Sequence, residues 1–122
     1  MRAAYDLPDR TKRFALAIIR LYTSLPETTA CAVLGKQLLR SGTSVGANYR
    51  EAHRGRSRAE FAAKMGDCLK ELEESAYWLE LLGESSLAPH TTLAPLVREC
   101  DELIAIFVTI LKKTRAVGGT GE

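Results

Sequence analysis

Apolar and small side chains recur every three or four positions through residues 31–52, and the spacing does not stop at the glycines inside that stretch. The positions that share it are Cys31, Leu34, Leu38, Ser41, Val45, Tyr49 and Ala52. Such a period places side chains on one face of an α-helix. The pattern therefore predicts a single long helix over residues 27–53, and the alternative is a flexible break at Gly42.

Three glycines form a strip beside this apolar face. Gly35, Gly42 and Gly46 each lie about 100° around the helix from a neighbour on that face. A glycine inside a helix costs about 0.5–1 kcal/mol relative to alanine, so a compensating gain is expected. We expect that gain to be close packing, in which another helix backbone approaches the strip.

Prolines and glycines divide the rest of the chain into three more segments with helical spacing. The predicted helices cover residues 9–24, 57–83 and 91–115, and residues 116–122 are predicted to form a disordered tail. The third helix opens with Ser57 and Glu60, which have the spacing of a capping box. Short connections make successive helices antiparallel neighbours. The predicted fold is all-α, an antiparallel up-down-up-down four-helix bundle.

The last helix contains the run "LIAIFVTIL", which is rich in Ile and Val and could pass for a strand. It lies inside a longer helix-spaced segment, and the sequence offers no second strand to pair with it. Within a helix, Ile104, Ile106, Val108 and Ile110 add apolar surface beside the main buried face. A helix that is apolar nearly all round needs a second burial partner. These four residues are the candidate oligomer interface, and a homo-oligomer is expected.

Several classes of function lack their sequence signals. Neither His53 nor His90 completes the Glu-x-x-His pair of a di-iron bundle, and no glycine-rich phosphate loop follows a strand. The three cysteines are odd in number and widely spaced, so no disulfide framework or metal site is indicated. The longest apolar run has nine residues, too few to span a membrane. We expect a cytoplasmic protein that is not an enzyme and uses no metal or cofactor.

Charge is unevenly distributed along the chain. Residues 1–66 hold 12 Lys and Arg against 5 Asp and Glu, whereas residues 67–122 hold 5 against 10. One interpretation is that the two halves neutralise each other within the folded unit. The other is that a basic surface meets nucleic acid or the acidic surface of another copy. The acidic residues of the third helix fall on two faces, one with Asp67, Glu71 and Glu74 and one with Glu73, Glu80 and Glu84.

The excess of positive charge is concentrated around the second and third helices. The candidate nucleic-acid-binding residues are Lys36, Arg40, Arg50, Arg54, Arg56, Arg58 and Lys64. Arginine suits forked contacts with phosphate, so sequence-tolerant binding to an RNA or DNA backbone is the leading hypothesis. Aromatic residues are sparse here, with only Tyr49 and Phe61, which gives little support to base stacking. The alternatives are a solvated face neutralised locally by Glu51 and Glu60, or a structural module whose charges serve subunit contacts.

Four stretches together resemble one bacterial family. They are "YDLPDRT", "LGKQLLRSGTSVGANYREAHRGRSRAEFAAKM", "YWLELL" and "ECDELIAIFVTILKKTR", and they extend over residues 5 to about 115. The family is that of four-helix-bundle proteins encoded in intervening sequences of 23S ribosomal RNA genes. The resemblance implies an antiparallel four-helix bundle that commonly assembles as a homopentamer.

The same stretches also resemble the accessory variability proteins of diversity-generating retroelements. That resemblance implies a basic pentameric bundle whose partners are nucleic acid and a reverse transcriptase. It implies no catalytic residues.

Overall fold

The computed structural model describes residues 5–120, with side chains for residues 5–116. Four helices follow one another: α1 (Leu7–Ser24), α2 (Thr29–Ala52), α3 (Arg58–Glu84) and α4 (His90–Thr120). Each helix packs against the next one along the chain, and α4 returns to contact α1. The described part of the chain contains no strand. The fold is the predicted antiparallel four-helix bundle.

Local side-chain chemistry sets where the helices begin. The Thr28 hydroxyl accepts a hydrogen bond from the backbone N–H of Cys31 at 3.1 Å and so caps α2. At the start of α3, the Ser57 hydroxyl accepts from the N–H of Glu60 at 3.1 Å. The Glu60 carboxylate in turn accepts from the N–H of Arg56 at 2.7 Å. These are the two reciprocal bonds expected of a capping box, with the carboxylate reaching one residue further back.

The C-terminal end of α4 differs from the expectation. The helix continues through Thr120, whereas the sequence pattern ends it at residue 115 and begins a tail at 116. No proline interrupts residues 116–120, and each added helical residue gains a backbone hydrogen bond that offsets the cost of two glycines. The part of the predicted tail at 121–122 lies outside the described residues.

The core is built from the inward face of all four helices. Its largest fully buried side chains include Phe14, Ile18, Leu38, Met65, Leu72, Leu79, Leu82, Leu103 and Phe107. Burying one such side chain stabilises the fold by about 1.5–3 kcal/mol. The run "LIAIFVTIL" is helical, and it contributes Leu103, Phe107 and Leu111 to this core.

The three glycines of α2 face α1, and α2 passes through them without a break. A Cβ built on Gly35 would lie 2.8 Å from the Tyr22 ring, and one on Gly46 would lie 3.3 Å from the Thr11 hydroxyl. Any larger residue at Gly35 would force the Tyr22 ring to move. The α1 side of α2 is therefore the close-packed side.

A pair of buried serines joins α2 to α3. Ser41 and Ser75 are both fully buried, and their hydroxyl oxygens are 2.8 Å apart. Each hydroxyl also lies within hydrogen-bond distance of a backbone carbonyl of its own helix. For Ser41 this is the carbonyl of Leu38, and for Ser75 it is that of Glu71. The hydrogen-bonded pair therefore places polar groups in the core between α2 and α3 and fixes the register of the two helices there.

Candidate nucleic-acid interface

Four exposed arginines surround the connection between α2 and α3. Arg50 lies in the last turn of α2, Arg54 and Arg56 lie in the connection, and Arg58 begins α3. Within the described residues, none of the four forms an ion pair with a carboxylate. We call this set, Arg50, Arg54, Arg56 and Arg58, the basic turn.

Backbone hydrogen bonds hold the basic turn in place. The N–H of Arg54 donates to the carbonyl of Glu51 at 3.0 Å, and the N–H of Gly55 donates to that of Ala52 at 3.2 Å. A Cβ on Gly55 would lie 3.2 Å from the same Ala52 oxygen, so the turn is tight enough to favour glycine there. Because Glu60 accepts from the backbone of Arg56, its carboxylate is occupied by the cap rather than by a guanidinium.

Two of the predicted basic residues have partners on the same molecule. The Arg40 guanidinium donates to Glu71 at 3.3 Å and also to Glu74, so it bridges α2 to α3. These hydrogen bonds hold the pKa of Arg40 above its usual value, and the one to Glu74 has the largest effect. Lys64 lies 2.7 Å from Glu51 across the same pair of helices, and this contact lowers the pKa of the Glu51 carboxyl. Local neutralisation therefore accounts for Arg40 and Lys64.

Lys36 is exposed and has no carboxylate within ion-pair distance in the described part of the chain. It stands about 21 Å from Arg50 along the axis of α2, at 1.5 Å per residue. Arg40, already paired with Glu71 and Glu74, stands between them. The single basic surface expected from the sequence is thus divided, and its unpaired arginines are gathered at one end of the bundle.

An aromatic cluster lies against the basic turn. The His53 ring is 4.6 Å from the Tyr49 ring and 5.9 Å from the Phe61 ring, centre to centre, and both pairs meet edge to face. Tyr49 is buried, Phe61 is half-buried and His53 is exposed. Burial raises the pKa of the Tyr49 hydroxyl. The sequence reasoning missed His53, although its i,i+4 spacing from Tyr49 was a signal for the contact.

The four candidate interface residues of α4 are each half-buried. Ile104, Ile106 and Ile110 pack against the protein's own core, so part of their surface is already covered. Other apolar side chains are more exposed, and the sequence reasoning did not single them out: Leu16 at 41%, Ile19 at 40%, Val33 at 55%, Tyr77 at 52% and Val97 at 37%. Leu16 and Ile19 are adjacent on the outer face of α1.

The acidic residues of α3, like the basic residues, fall into a group that forms ion pairs and a group that does not. Glu71 and Glu74 face α2 and pair with Arg40. Glu73, Glu80 and Glu84 are exposed, and no ion pair involves them among residues 5–116. The surface that remains acidic is therefore the outer side of α3.

The cysteines lie in the core. Burial raises the pKa of the Cys68 and Cys100 thiols to about 12, so both are protonated near neutral pH. In the described region, no three His, Cys, Asp or Glu side chains converge in a way that could hold a metal ion. No described helix is long and apolar enough to cross a membrane.

Comparison with known proteins identifies a family and solved structures that resemble this chain. The family model described as "23S rRNA-intervening sequence protein" matches residues 5–109. A crystal structure of a protein of unknown function from the S23 ribosomal protein family of Bacteroides thetaiotaomicron superposes with a TM-score of 0.82. That protein is 38% identical in sequence, and the match covers 87% of this chain and 98% of the other. No curated protein matches.

Proposed function

The chain belongs to the 23S rRNA-intervening sequence protein family, and from this premise we propose that it is a non-enzymatic, homo-oligomeric protein that binds nucleic acid through the basic turn. The observation that carries the proposal is the set of four exposed arginines without carboxylate partners among the described residues. The contrast with Arg40 supports it. Arg40 lies on α2, as Arg50 does, and it is paired with the carboxylates of Glu71 and Glu74.

The expected mode of binding follows from the chemistry of arginine. A guanidinium can donate two parallel hydrogen bonds to a phosphate, and its contact releases condensed counterions. Each neutralised phosphate makes the logarithm of the binding constant fall by about 0.7–0.9 per logarithmic unit of salt. Binding should therefore be strong at low ionic strength, weak at high ionic strength and tolerant of sequence.

We propose that the subunits associate through apolar surface that one bundle leaves open. Leu16 and Ile19 on α1, together with the half-covered isoleucines of α4, supply such surface. A pentamer is the proposed assembly. Repetition of the basic turn in each subunit would multiply the phosphate contacts available to one strand.

Fluorescence anisotropy with labelled RNA and DNA over a salt series tests the nucleic-acid proposal. The double variant Arg50→Gln/Arg54→Gln should bind more weakly, with a smaller salt dependence. The matched control is Arg20→Gln, which removes an exposed arginine from α1 at the opposite end of the bundle. Absence of binding by the unmodified protein at low salt would contradict the proposal, as would equal losses in the two variants.

The second candidate function is a structural or protein-interaction module in which the basic turn contacts another subunit. The unpaired Glu73, Glu80 and Glu84 favour it, because they offer an acidic surface of suitable sign. Light scattering of Arg54→Glu separates the two candidates. A lower mass points to subunit contacts, whereas an unchanged mass with lost binding points to nucleic acid.

A further inference from the structure

The exposed ring of His53 stands in the middle of the basic turn. Arg50 and Arg54 flank it in sequence, and Arg56 and Arg58 follow within the same connection. Its plane is inclined by 82° to the Tyr49 ring and by 63° to the Phe61 ring. No hydrogen bond joins the imidazole to any described residue, so packing against those two rings holds it.

We propose that His53, supported by Phe61, is a stacking site for an unpaired base, and that the basic turn consequently prefers single-stranded to double-stranded nucleic acid. This inference rests on the proposed function, because the arginines are needed to bring the strand to the ring. It specifies the class of ligand as single-stranded nucleic acid, which the phosphate contacts by themselves do not specify.

The geometry favours stacking for two reasons. An aromatic ring already ordered by its neighbours loses little conformational freedom when a base packs on it. In a duplex, the faces of the bases are covered by the bases above and below, whereas a single strand can present them to a protein ring. Phosphate contacts alone would not distinguish the two forms in this way.

Three probes of equal length test the inference by fluorescence anisotropy: a single-stranded RNA, the same strand without its bases, and the matching duplex. The abasic strand keeps the phosphates and lacks the bases that would stack. We expect the unmodified protein to bind the single strand at least about fivefold more tightly than the abasic strand, the lower end of the effect of stacking one base.

The variant His53→Ala should lose this preference and keep its affinity for the abasic strand. His53→Tyr, which retains a ring, should keep the preference, and His90→Ala is the matched control because it removes an exposed histidine at the other end of the bundle. Circular dichroism checks that each variant is folded, and Phe61→Leu gives a second test at a half-buried position.

The outcomes are separable from those of the proposed function. Equal binding of the single strand and the abasic strand by the unmodified protein would overturn the stacking site and leave phosphate binding intact. A preference that survives in His53→Ala would overturn the role of this residue. Failure to bind any probe at low salt would overturn the proposed function and the stacking site together.

Discussion

The Cγ1 atom of Ile18 lies 2.8 Å from the point where a Cβ on Gly42 would stand. The Ile18 side chain on α1 thus occupies the space that any residue larger than glycine would need at position 42 of α2. This contact explains why a long helix tolerates a weak helix former at its centre. It also fixes which side of α2 is buried against α1.

Replacing Gly42 by alanine should destabilise the protein. The new methyl group would meet Ile18 Cγ1 at 2.8 Å and Cγ2 at 3.1 Å. Such overpacking costs about 1–3 kcal/mol, which exceeds the gain of about 0.5–1 kcal/mol from replacing a helical glycine. Urea unfolding measures the change in the free energy of unfolding.

Gly66 provides the matched control, because a Cβ there would meet no atom within 4 Å. Gly66→Ala should therefore stabilise the protein by about 0.5–1 kcal/mol through helix propensity alone. Two variants with the same chemical change should move the unfolding midpoint in opposite directions. Equal shifts would contradict the close approach of α1 and α2 at Gly42.

The buried hydroxyls of Ser41 and Ser75 should be energetically coupled. Their oxygens are 2.8 Å apart in a fully buried setting, so removing one leaves the other without this partner. In a double-mutant cycle, Ser41→Ala and Ser75→Ala should each destabilise by about 0.5–1.5 kcal/mol, and the double variant should cost less than the sum. Additive single effects would show that the two hydroxyls act independently.

The same serines show how far the sequence could be interpreted. The three-and-four spacing placed Ser41 on the buried face of α2, where the structure has it. On α3, the same three-and-four spacing through Leu72, Ala76 and Leu79 predicts that Ala76 is buried, but Ser75 is the fully buried residue and Ala76 is half-buried. Adjacent positions on a helix differ by only about 100°, so which of them points inward depends on how the helix is rotated against its neighbours. A single sequence does not contain that rotation.

The sequence predicts which residues make up the candidate site, but not which of them form ion pairs. The cluster of arginines was visible in the sequence, and the structure places it at one end of the bundle. That Arg40 would reach Glu71 and Glu74 depends on the register of α2 against α3, which sequence spacing does not fix. The contact between His53 and Phe61 was not predictable for the same reason, since the two rings meet only across the turn.

Stability should decrease in acid partly through Glu74. Hydrogen bonds from Trp78, and secondly from Arg40, hold the pKa of this carboxyl below its usual value. As the pH falls, the unfolded chain takes up the proton first, so this contribution is present at neutral pH and is lost as the pH falls through the folded pKa. Urea unfolding at a series of pH values should therefore show a smaller acid loss in Glu74→Gln, by less than about 1 kcal/mol because Arg40 is half-exposed.

Glu73 is the control for this measurement. It is the preceding residue, it is exposed, and it forms no ion pair with the described residues. Glu73→Gln should leave the pH dependence of unfolding close to that of the unmodified protein. An equal effect of the two substitutions would mean that the Arg40 and Trp78 contacts do not hold the Glu74 carboxylate in solution.

Arg40→Gln and Arg54→Gln should have opposite effects in two assays. Arg40 bridges α2 to α3, so its loss should lower the free energy of unfolding by up to about 1 kcal/mol. Arg54 is exposed and unpaired within the described residues, so its loss should change the free energy of unfolding by no more than about 0.5 kcal/mol. In binding, the order should reverse. Arg54→Gln should reduce the salt slope by about 0.7–0.9, the contribution of one phosphate contact.

Arg40→Gln should leave the salt slope unchanged, because Arg40 stands about 15 Å along α2 from Arg50, the first arginine of the basic turn, and the Debye length is about 8 Å at physiological salt. Lys64→Gln serves as a second variant of the paired class, since Lys64 is held by Glu51 at 2.7 Å. Anisotropy titrations over a salt series and urea unfolding, performed on the same three variants, measure both quantities. If Arg40 and Arg54 contributed equally to the salt slope, the division between paired and free arginines would not govern binding. The bound strand would then have to follow the whole length of α2.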